Sequence, residues 1–221
     1  MRWRDVLLTA AVPFAIATLA AAFFAVAVGP ALGLYFGGMV VAALIIPPLV
    51  ARHEKPFDAF IAAGSVIDGV GVVWLIVAIF AHTTLLQWLL AYGVLAACGL
   101  TLFSLTMLLR AATGITASAA IAVIIALAWL ASPIWCPPAL VARLASVHPL
   151  LSLNRVFIEQ GVWTQQRLMY QLTTLGQDVP YSLPSTIFAC AFAHLTAALL
   201  MGWPAWRAAL RGRRSEASPA I

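Results

Sequence analysis

The sequence contains few charged side chains for its length. Asp, Glu, Lys and Arg make up 9% of its 221 residues, whereas about 25% is usual in soluble domains. Hydrophobic residues reach 64%, and the mean hydropathy is +1.03. The core of a water-soluble chain of this size could not bury so much apolar surface, so lipid must solvate a large part of it. We therefore predict an integral membrane protein.

Several kinds of architecture and site are missing. The apolar runs are long and unbroken, unlike the alternating segments of an outer-membrane barrel. Cys98, Cys136 and Cys190 are an odd number of cysteines without a closely spaced pair, so no disulfide framework or metal cluster is predicted. No Gly-x-x-x-x-Gly-Lys-Ser/Thr loop and no His-Glu-x-x-His pattern occurs, so we expect no ATP site in this chain and no zinc site. We also expect no catalytic residue and no nucleic-acid partner.

Long apolar runs, by contrast, are abundant. A helix needs about 20 mostly apolar residues to cross the hydrocarbon of a bilayer. Six segments meet this length, at residues 6–28, 31–50, 64–83, 85–109, 115–135 and 186–206. The sequence therefore predicts an all-α polytopic protein, with residues 1–221 forming one transmembrane domain of six helices.

One connection between these runs is long, at residues 136–185. Loops of this length usually carry structure or function of their own. Residues 139–147 are apolar, and residues 150–161 have an apolar and a polar face. We predict two short helices here, lying at the outer membrane surface or re-entering it. The segment fits a capping loop and an outer gate on a transport pathway equally well.

The positive charges predict an orientation. Lys and Arg near the ends of spans are enriched on the cytoplasmic side. With a cytoplasmic N-terminus, nine basic residues lie inside, namely Arg2, Arg4, Arg52, Lys55, Arg110, Arg207, Arg211, Arg213 and Arg214. Three lie outside, Arg143, Arg155 and Arg167. We expect a multi-pass protein of the inner (cytoplasmic) membrane with both termini and the tail 207–221 in the cytoplasm.

Two ionisable residues fall within apolar runs, where such groups are functional candidates by default. We expect Asp68 to lie at the cytoplasmic start of the third span, beside a helix N-terminus that favours a carboxylate. A lone mid-span histidine such as His194 more often bonds to a neighbouring helix than acts as a base. An intramembrane enzyme built on Ser65, Asp68 and His194 is the less favoured alternative, because Ser65 lacks the following glycine of a typical nucleophile motif.

The topology and three sequence stretches resemble the permease subunit of type-2 ATP-binding-cassette (ABC) exporters. Residues 102–133 are similar to the fourth span, Arg-containing turn and Ala-rich fifth span of that family. Residues 142–161 resemble its outer segment, although His148-Pro149-Leu150 stands where Asn-Pro-Leu is usual. Residues 54–65 resemble the acidic cytoplasmic segment that docks the ATPase in that family.

This resemblance implies a separate ABC ATPase subunit that binds ATP and Mg²⁺, with no cofactor in this chain. It also implies a homo- or heterodimer of permease chains in the lipid bilayer. The residues implied in contact with the ATPase are Glu54, Lys55, Phe57 and Asp58. Those implied at the outer gate are His148, Pro149 and Asn154. A non-catalytic membrane scaffold remains the main alternative.

Overall fold

The computed structural model describes residues 3–28, 32–81, 83–157 and 183–216. These residues are mostly helical and contain no β-strand, which confirms the predicted all-α class. The long helices are α1 (Trp3–Val28), α2 (Leu32–Arg52), α3 (Pro56–Phe80), α4 (Leu85–Thr113), α5 (Ile115–Leu130) and α9 (Phe188–Glu216). The short helices between α5 and α9 are α6 (Ser132–Trp135), α7 (Pro138–Leu144) and α8 (Pro149–Val156). Residues 158–182 of the predicted outer loop and 217–221 of the predicted tail lie outside the described residues.

Within the described part of the chain, three helices are long and apolar enough to cross a membrane. They cover Gly33–Arg52, Pro56–Phe80 and Leu85–Thr113 and are 20, 25 and 29 residues long. Three shorter apolar helical stretches are Thr9–Phe23, Ile115–Leu130 and Phe188–Pro204. The helices thus have the length and composition of a membrane protein, while the count of six spans stays a prediction.

Helix α3 begins at Pro56 rather than at residue 64. Pro56 stands in the first turn, where its missing N–H and fixed φ suit a helix start. Asp58 follows in the same turn, where a carboxylate is favoured by the helix dipole. Most of the segment expected to dock an ATPase is therefore the beginning of α3 and not a separate element.

Helix α5 ends at Leu130, five residues before the predicted end of the fifth span. Ser132 and Pro133 start the four-residue helix α6, and both are buried. The Trp135 indole N–H donates back to the carbonyl of Ala128, at 3.2 Å. Proline at residue 133 therefore interrupts the helix before the Pro137-Pro138 pair is reached.

Glycines let the helices approach closely. A Cβ atom on Gly69 of α3 would lie 2.7 Å from the carbonyl oxygen of Phe14 in α1. A Cβ atom on Gly38 of α2 would overlap the indole of Trp74 in α3. The backbones of α1 and α2 thus pack directly on α3.

The two ends of the bundle are distinguished by hydrogen bonds between elements. At one end, the Arg110 guanidinium of α4 donates to the carbonyl of His53, in the link between α2 and α3. We call this the link end. At the opposite end of α4, the Gln87 side chain donates to the carbonyl of Val156 in α8, at 3.2 Å. We call this the cap end, because α8 covers the bundle there.

Candidate functional site: a lateral cavity and the two ends of the bundle

A cavity of about 410 Å³ lies among α2, α4, α5 and α9. Its walls are almost wholly apolar: Met39, Ala42 and Ala43 of α2, Leu95, Cys98, Gly99, Thr101, Leu102 and Leu105 of α4, Ile125, Ala126, Trp129 and Leu130 of α5, Ala193, His194, Ala197 and Met201 of α9, and Val147 and Pro149 before and in α8. Its volume falls within the usual range of small-molecule sites, about 300–1,000 Å³.

The cavity has a gap on its side. Helix α5 packs on α2 and α4, and α9 packs on α4, but α5 and α9 have at most marginal contact in the described chain. Both helices nevertheless line the cavity. Ile125, on the α5 side of this gap, is 44% exposed. The cavity therefore faces the surroundings of the bundle between α5 and α9, where a membrane protein meets lipid.

Polar groups gather on one wall of the cavity. The Thr101 hydroxyl of α4 lies 3.2 Å from His194 Nδ1 and 2.8 Å from the His194 carbonyl of α9. The same hydroxyl lies 2.9 Å from the Ala97 carbonyl, one turn back on α4. We assign its single hydrogen to one of the two carbonyls, so that its oxygen accepts from Nδ1–H of His194. By this assignment the Nε2 atom of His194 is an acceptor.

Two thiols continue this polar wall toward the cap end. Cys190 lies one turn before His194 on α9, and its thiol lies against Cys98 of α4 and the His194 ring. The Cys190 thiol is 3.3 Å from the carbonyl of Val147, to which it donates. The described residues contain no group of three or more His, Cys, Asp or Glu that could hold a metal. The wall therefore presents hydrogen-bonding groups to the cavity.

His148 closes the gap between α5 and α9 at the cap end. Its Nε2 atom lies 2.9 Å from the carbonyl of Trp129 in α5, and its ring lies 5.0 Å from the Trp129 ring. The carbonyl of the preceding residue, Val147, accepts a hydrogen bond from the Cys190 thiol of α9. Residues 147–148 thus connect the two helices that otherwise stand apart.

His148 is also the N-cap of α8. Its Nδ1 atom accepts from the backbone N–H of Leu151 at 3.4 Å, and Pro149 occupies the first turn. An asparagine oxygen would accept the same bond. Burial lowers the pKa of His148 to about 4, with a smaller lowering from nearby His194 and an opposing effect of the Trp129 carbonyl. The ring is therefore neutral at pH 7, with the proton on Nε2.

Helix α8 is buried rather than spread on a surface. The predicted gate residues His148, Pro149 and Asn154 are all buried, as are the remaining residues of α8 except Arg155. Phe157, just after α8, stacks on Tyr35 of α2 with ring centroids 3.9 Å apart. Helix α8 is therefore inserted into the bundle, where it contacts α2 and α4.

The link end presents the residues predicted to contact an ATPase. Glu54 and Lys55 are exposed, and the Phe57 side chain is 56% exposed. Asp58 is half-buried, and its Oδ1 atom has no hydrogen-bond partner among the described residues. Neighbouring residues on the link are held in place by the Arg110 bond to the His53 carbonyl. Glu54, Lys55 and Phe57 are therefore exposed on a segment whose backbone is fixed by a hydrogen bond to α4.

Asp68 does not lie at the start of a helix, contrary to our expectation. It is midway between Pro56 and Phe80, the ends of α3, and it is exposed. The Tyr92 hydroxyl of α4 donates to its Oδ1 atom at 2.5 Å. A carboxylate at the centre of a spanning helix costs about 2.5–3.5 kcal/mol, and one tyrosine offsets part of that cost.

The residues of the enzyme alternative have separate partners. The Ser65 hydroxyl donates to the Ile61 carbonyl of its own helix at 2.8 Å. Asp68 is bonded to Tyr92 and His194 to Thr101. None of the hydrogen bonds described here joins Ser65, Asp68 and His194 to one another, so the geometry offers no nucleophile–base pair among them.

Sequence reasoning missed the partners of these groups. Thr101, Tyr92 and Trp129 lie far along the chain from the residues they contact, and no spacing rule connects them. One missed feature did have a signal: Thr84 and Gln87 form a capping box at the start of α4, which the pattern Thr-x-x-Gln before an apolar run indicates.

No protein-family model, no curated protein and no solved structure matches this chain.

Proposed function

We propose that this chain is the transmembrane permease subunit of an ATP-driven ABC exporter. Six spans cross the inner membrane, and two such chains form the substrate path. A separate ATPase subunit binds ATP and Mg²⁺ at the link end, which faces the cytoplasm. The cap end, with α7 and α8, faces outward.

The braced link between α2 and α3 is the observation that carries this proposal. An ATPase can drive a permease only if force at its docking surface reaches the spanning helices. The exposed Glu54, Lys55 and Phe57 adjoin α3, and Arg110 ties the same link to α4. A displacement of the link would therefore move two long helices together.

The opposite end supports an outer gate. Helix α8 is buried between the ends of the long helices, and His148 ties its start to α5. Gln87 ties its end to α4. Movement of the long helices would change both bonds. Opening and closing of the bundle would therefore displace the segment that contains His148, Pro149 and Asn154.

The exposed carboxylate of Asp68 supports a second permease chain. Lipid tails cannot solvate a carboxylate at the centre of a helix. Gly64, on the same helix, has open space where its Cβ would be, and so does Gly93 next to Tyr92 on α4. Small residues of this kind allow another helix to approach closely. A partner chain over this face would remove Asp68 from lipid.

The proposal is tested by affinity purification of the tagged chain from its native membranes in a mild detergent. We expect a soluble protein with a phosphate-binding loop to be retained in near-stoichiometric amount and to hydrolyse ATP. Combined replacement of Glu54, Phe57 and Asp58 by Ala should reduce the retained ATPase at least fivefold. The matched control is Phe80→Ala, because Phe80 is 79% exposed at the opposite end of α3.

Two outcomes would contradict the proposal. Recovery of the wild-type chain without any ATPase would favour the scaffold alternative. Equal recovery of the ATPase with the triple variant and with Phe80→Ala would show that the link end is not the docking surface.

A further inference from the structure

The lateral cavity is too apolar to hold ordered water. A buried water molecule needs about two to four polar partners, and apolar cavities of engineered proteins stay dry and bind apolar molecules. Here the lining offers few hydrogen-bonding side chains, namely Thr101, His194 and Cys98 on one wall and the Trp129 indole on α5. The remaining lining is aliphatic or aromatic apart from glycine and backbone. The matching occupant is therefore mostly hydrocarbon with a single polar group.

The gap between α5 and α9 indicates where such an occupant comes from. The cavity faces the surroundings of the bundle through a side that two spanning helices leave open, and residues 147–148 close that side only at the cap end. A molecule dissolved in the bilayer can reach the cavity through the gap without passing through water. This route suits a lipid-soluble ligand and excludes a strongly hydrated one.

The volume limits the size of the ligand. At roughly 30 Å³ for each water-sized group, the cavity of about 410 Å³ holds about 14 such groups. A single chain of about twelve carbons with one small head group matches this volume.

The head group is defined by His194. Its Nδ1–H is engaged by the Thr101 hydroxyl, which leaves Nε2 as an acceptor on the cavity wall. The thiol next to it, that of Cys190, donates to the Val147 carbonyl. A ligand hydroxyl can therefore donate to Nε2. Between His194 and the link end the lining is apolar and includes Leu105 and Met201.

We propose that the lateral cavity binds a single-chain amphiphile of about twelve carbons from the bilayer, with its hydroxyl-type head group donating to His194 and its chain directed toward Leu105 and Met201. This site stands on the cavity alone and does not require an ATPase partner. The experiments below can therefore disprove this site without disproving the exporter proposal, and the reverse also holds.

The test uses the full chain in phospholipid nanodiscs and a twelve-carbon primary alcohol that carries a diazirine on its chain. After irradiation, we expect labelled peptides from the parts of α4 and α9 that contain Leu105 and Met201. Unlabelled dodecanol should remove at least 80% of this labelling. Labelling that does not saturate, or that spreads evenly over the exposed faces of all helices, would overturn the proposal.

Variants of α9 provide a matched comparison. Ala197→Phe places a ring in the cavity, whereas Ala191→Phe adds the same ring to a half-buried position of α9 that does not line it. We expect at least a fivefold loss of labelling with Ala197→Phe and little change with Ala191→Phe. Equal labelling of the two variants would contradict the site, and the competition experiment on the wild-type chain decides the question if either variant fails to fold.

A second ligand tests the head group. The corresponding diazirine alkane, which lacks the hydroxyl, should label the wild-type chain several-fold less than the alcohol does. His194→Leu should bring alcohol labelling down to the alkane level, and His194→Gln, which keeps an acceptor, should restore part of it. An alcohol that labels His194→Leu as strongly as the wild type would exclude His194 as the partner of the head group.

Discussion

At the scale of single residues, His148 combines two tasks. It caps α8 through Nδ1 and reaches α5 through Nε2. Asparagine can accept the capping bond, but its shorter side chain is not expected to span the distance to the Trp129 carbonyl as well. Both bonds require the neutral ring with its proton on Nε2, since protonation of Nδ1 would remove the acceptor used by Leu151 N–H.

The first prediction concerns pH. A neutral His148 contributes its full stabilisation above the unfolded pKa of about 6.5, and because its folded pKa is about 4, that contribution is lost as the pH falls from about 6.5 toward 4. The loss amounts to roughly 3 kcal/mol. We expect the melting temperature of the purified protein to fall over this interval, as measured by the thermal shift of its intrinsic fluorescence.

His148→Asn is the matched variant, because asparagine keeps an N-cap acceptor and does not titrate in this range. Its melting temperature at pH 7 should be lower than that of the wild type because the bond to Trp129 is lost. Its fall between pH 6.5 and 4 should be clearly smaller. An identical pH dependence for the two proteins would show that another group is responsible.

At the scale of elements, α3 shows how one helix uses its glycines in two ways. It contacts α1, α2 and α4, and its glycines differ in purpose. Gly69 lies against the backbone of α1, whereas Gly64 has open space around it. Within the described chain, glycine therefore permits a close helix contact at residue 69, whereas at residue 64 no neighbouring helix is in contact.

The second prediction follows from this contrast. Gly69→Ala should destabilise the protein by about 1–3 kcal/mol, because a methyl group would collide with the Phe14 carbonyl and overpacking of a tight contact has this cost. In the monomeric chain, Gly64→Ala should be neutral or stabilising by up to about 1 kcal/mol, since alanine is the better helix former. Thermal unfolding in the same detergent compares them, and an equal effect of the two substitutions would contradict the packing of α1 on α3.

At the scale of the whole molecule, the two ends are chemically distinct. The link end carries Arg52, Lys55 and Arg110, and the cap end is covered by α8. All three native cysteines, Cys98, Cys136 and Cys190, are buried and free, so introduced cysteines can report on either end with little background.

The third prediction uses that property. Thr113→Cys is at the link end and Ser146→Cys near the cap end, and both positions are exposed. A membrane-impermeant maleimide added to intact cells or spheroplasts should label Ser146→Cys and leave Thr113→Cys unlabelled until the membrane is opened. The reverse pattern would invert the orientation, and labelling of both in intact cells would contradict the assignment of the two ends to opposite sides.

The sequence by itself determined the helical class, the apolar character and the approximate positions of the long helices. These properties depend on local composition and on the need to satisfy backbone groups in lipid, and both can be read within one segment. It also pointed to residues 54–65 and to the segment after Trp135 as unusual. Helix α3 begins at Pro56, before the predicted span 64–83, and Pro56 and Asp58 are the sequence signals of that helix start.

Only the tertiary structure decided which groups meet. The burial of Asn154, the pairing of Asp68 with Tyr92 and the gap between α5 and α9 all depend on contacts between segments far apart in the chain. Side-chain periodicity states which residues share a face but not what that face will touch. The cavity with His194 on its wall exists because α4 holds α5 and α9 on different sides, and no local pattern in the sequence carries that information.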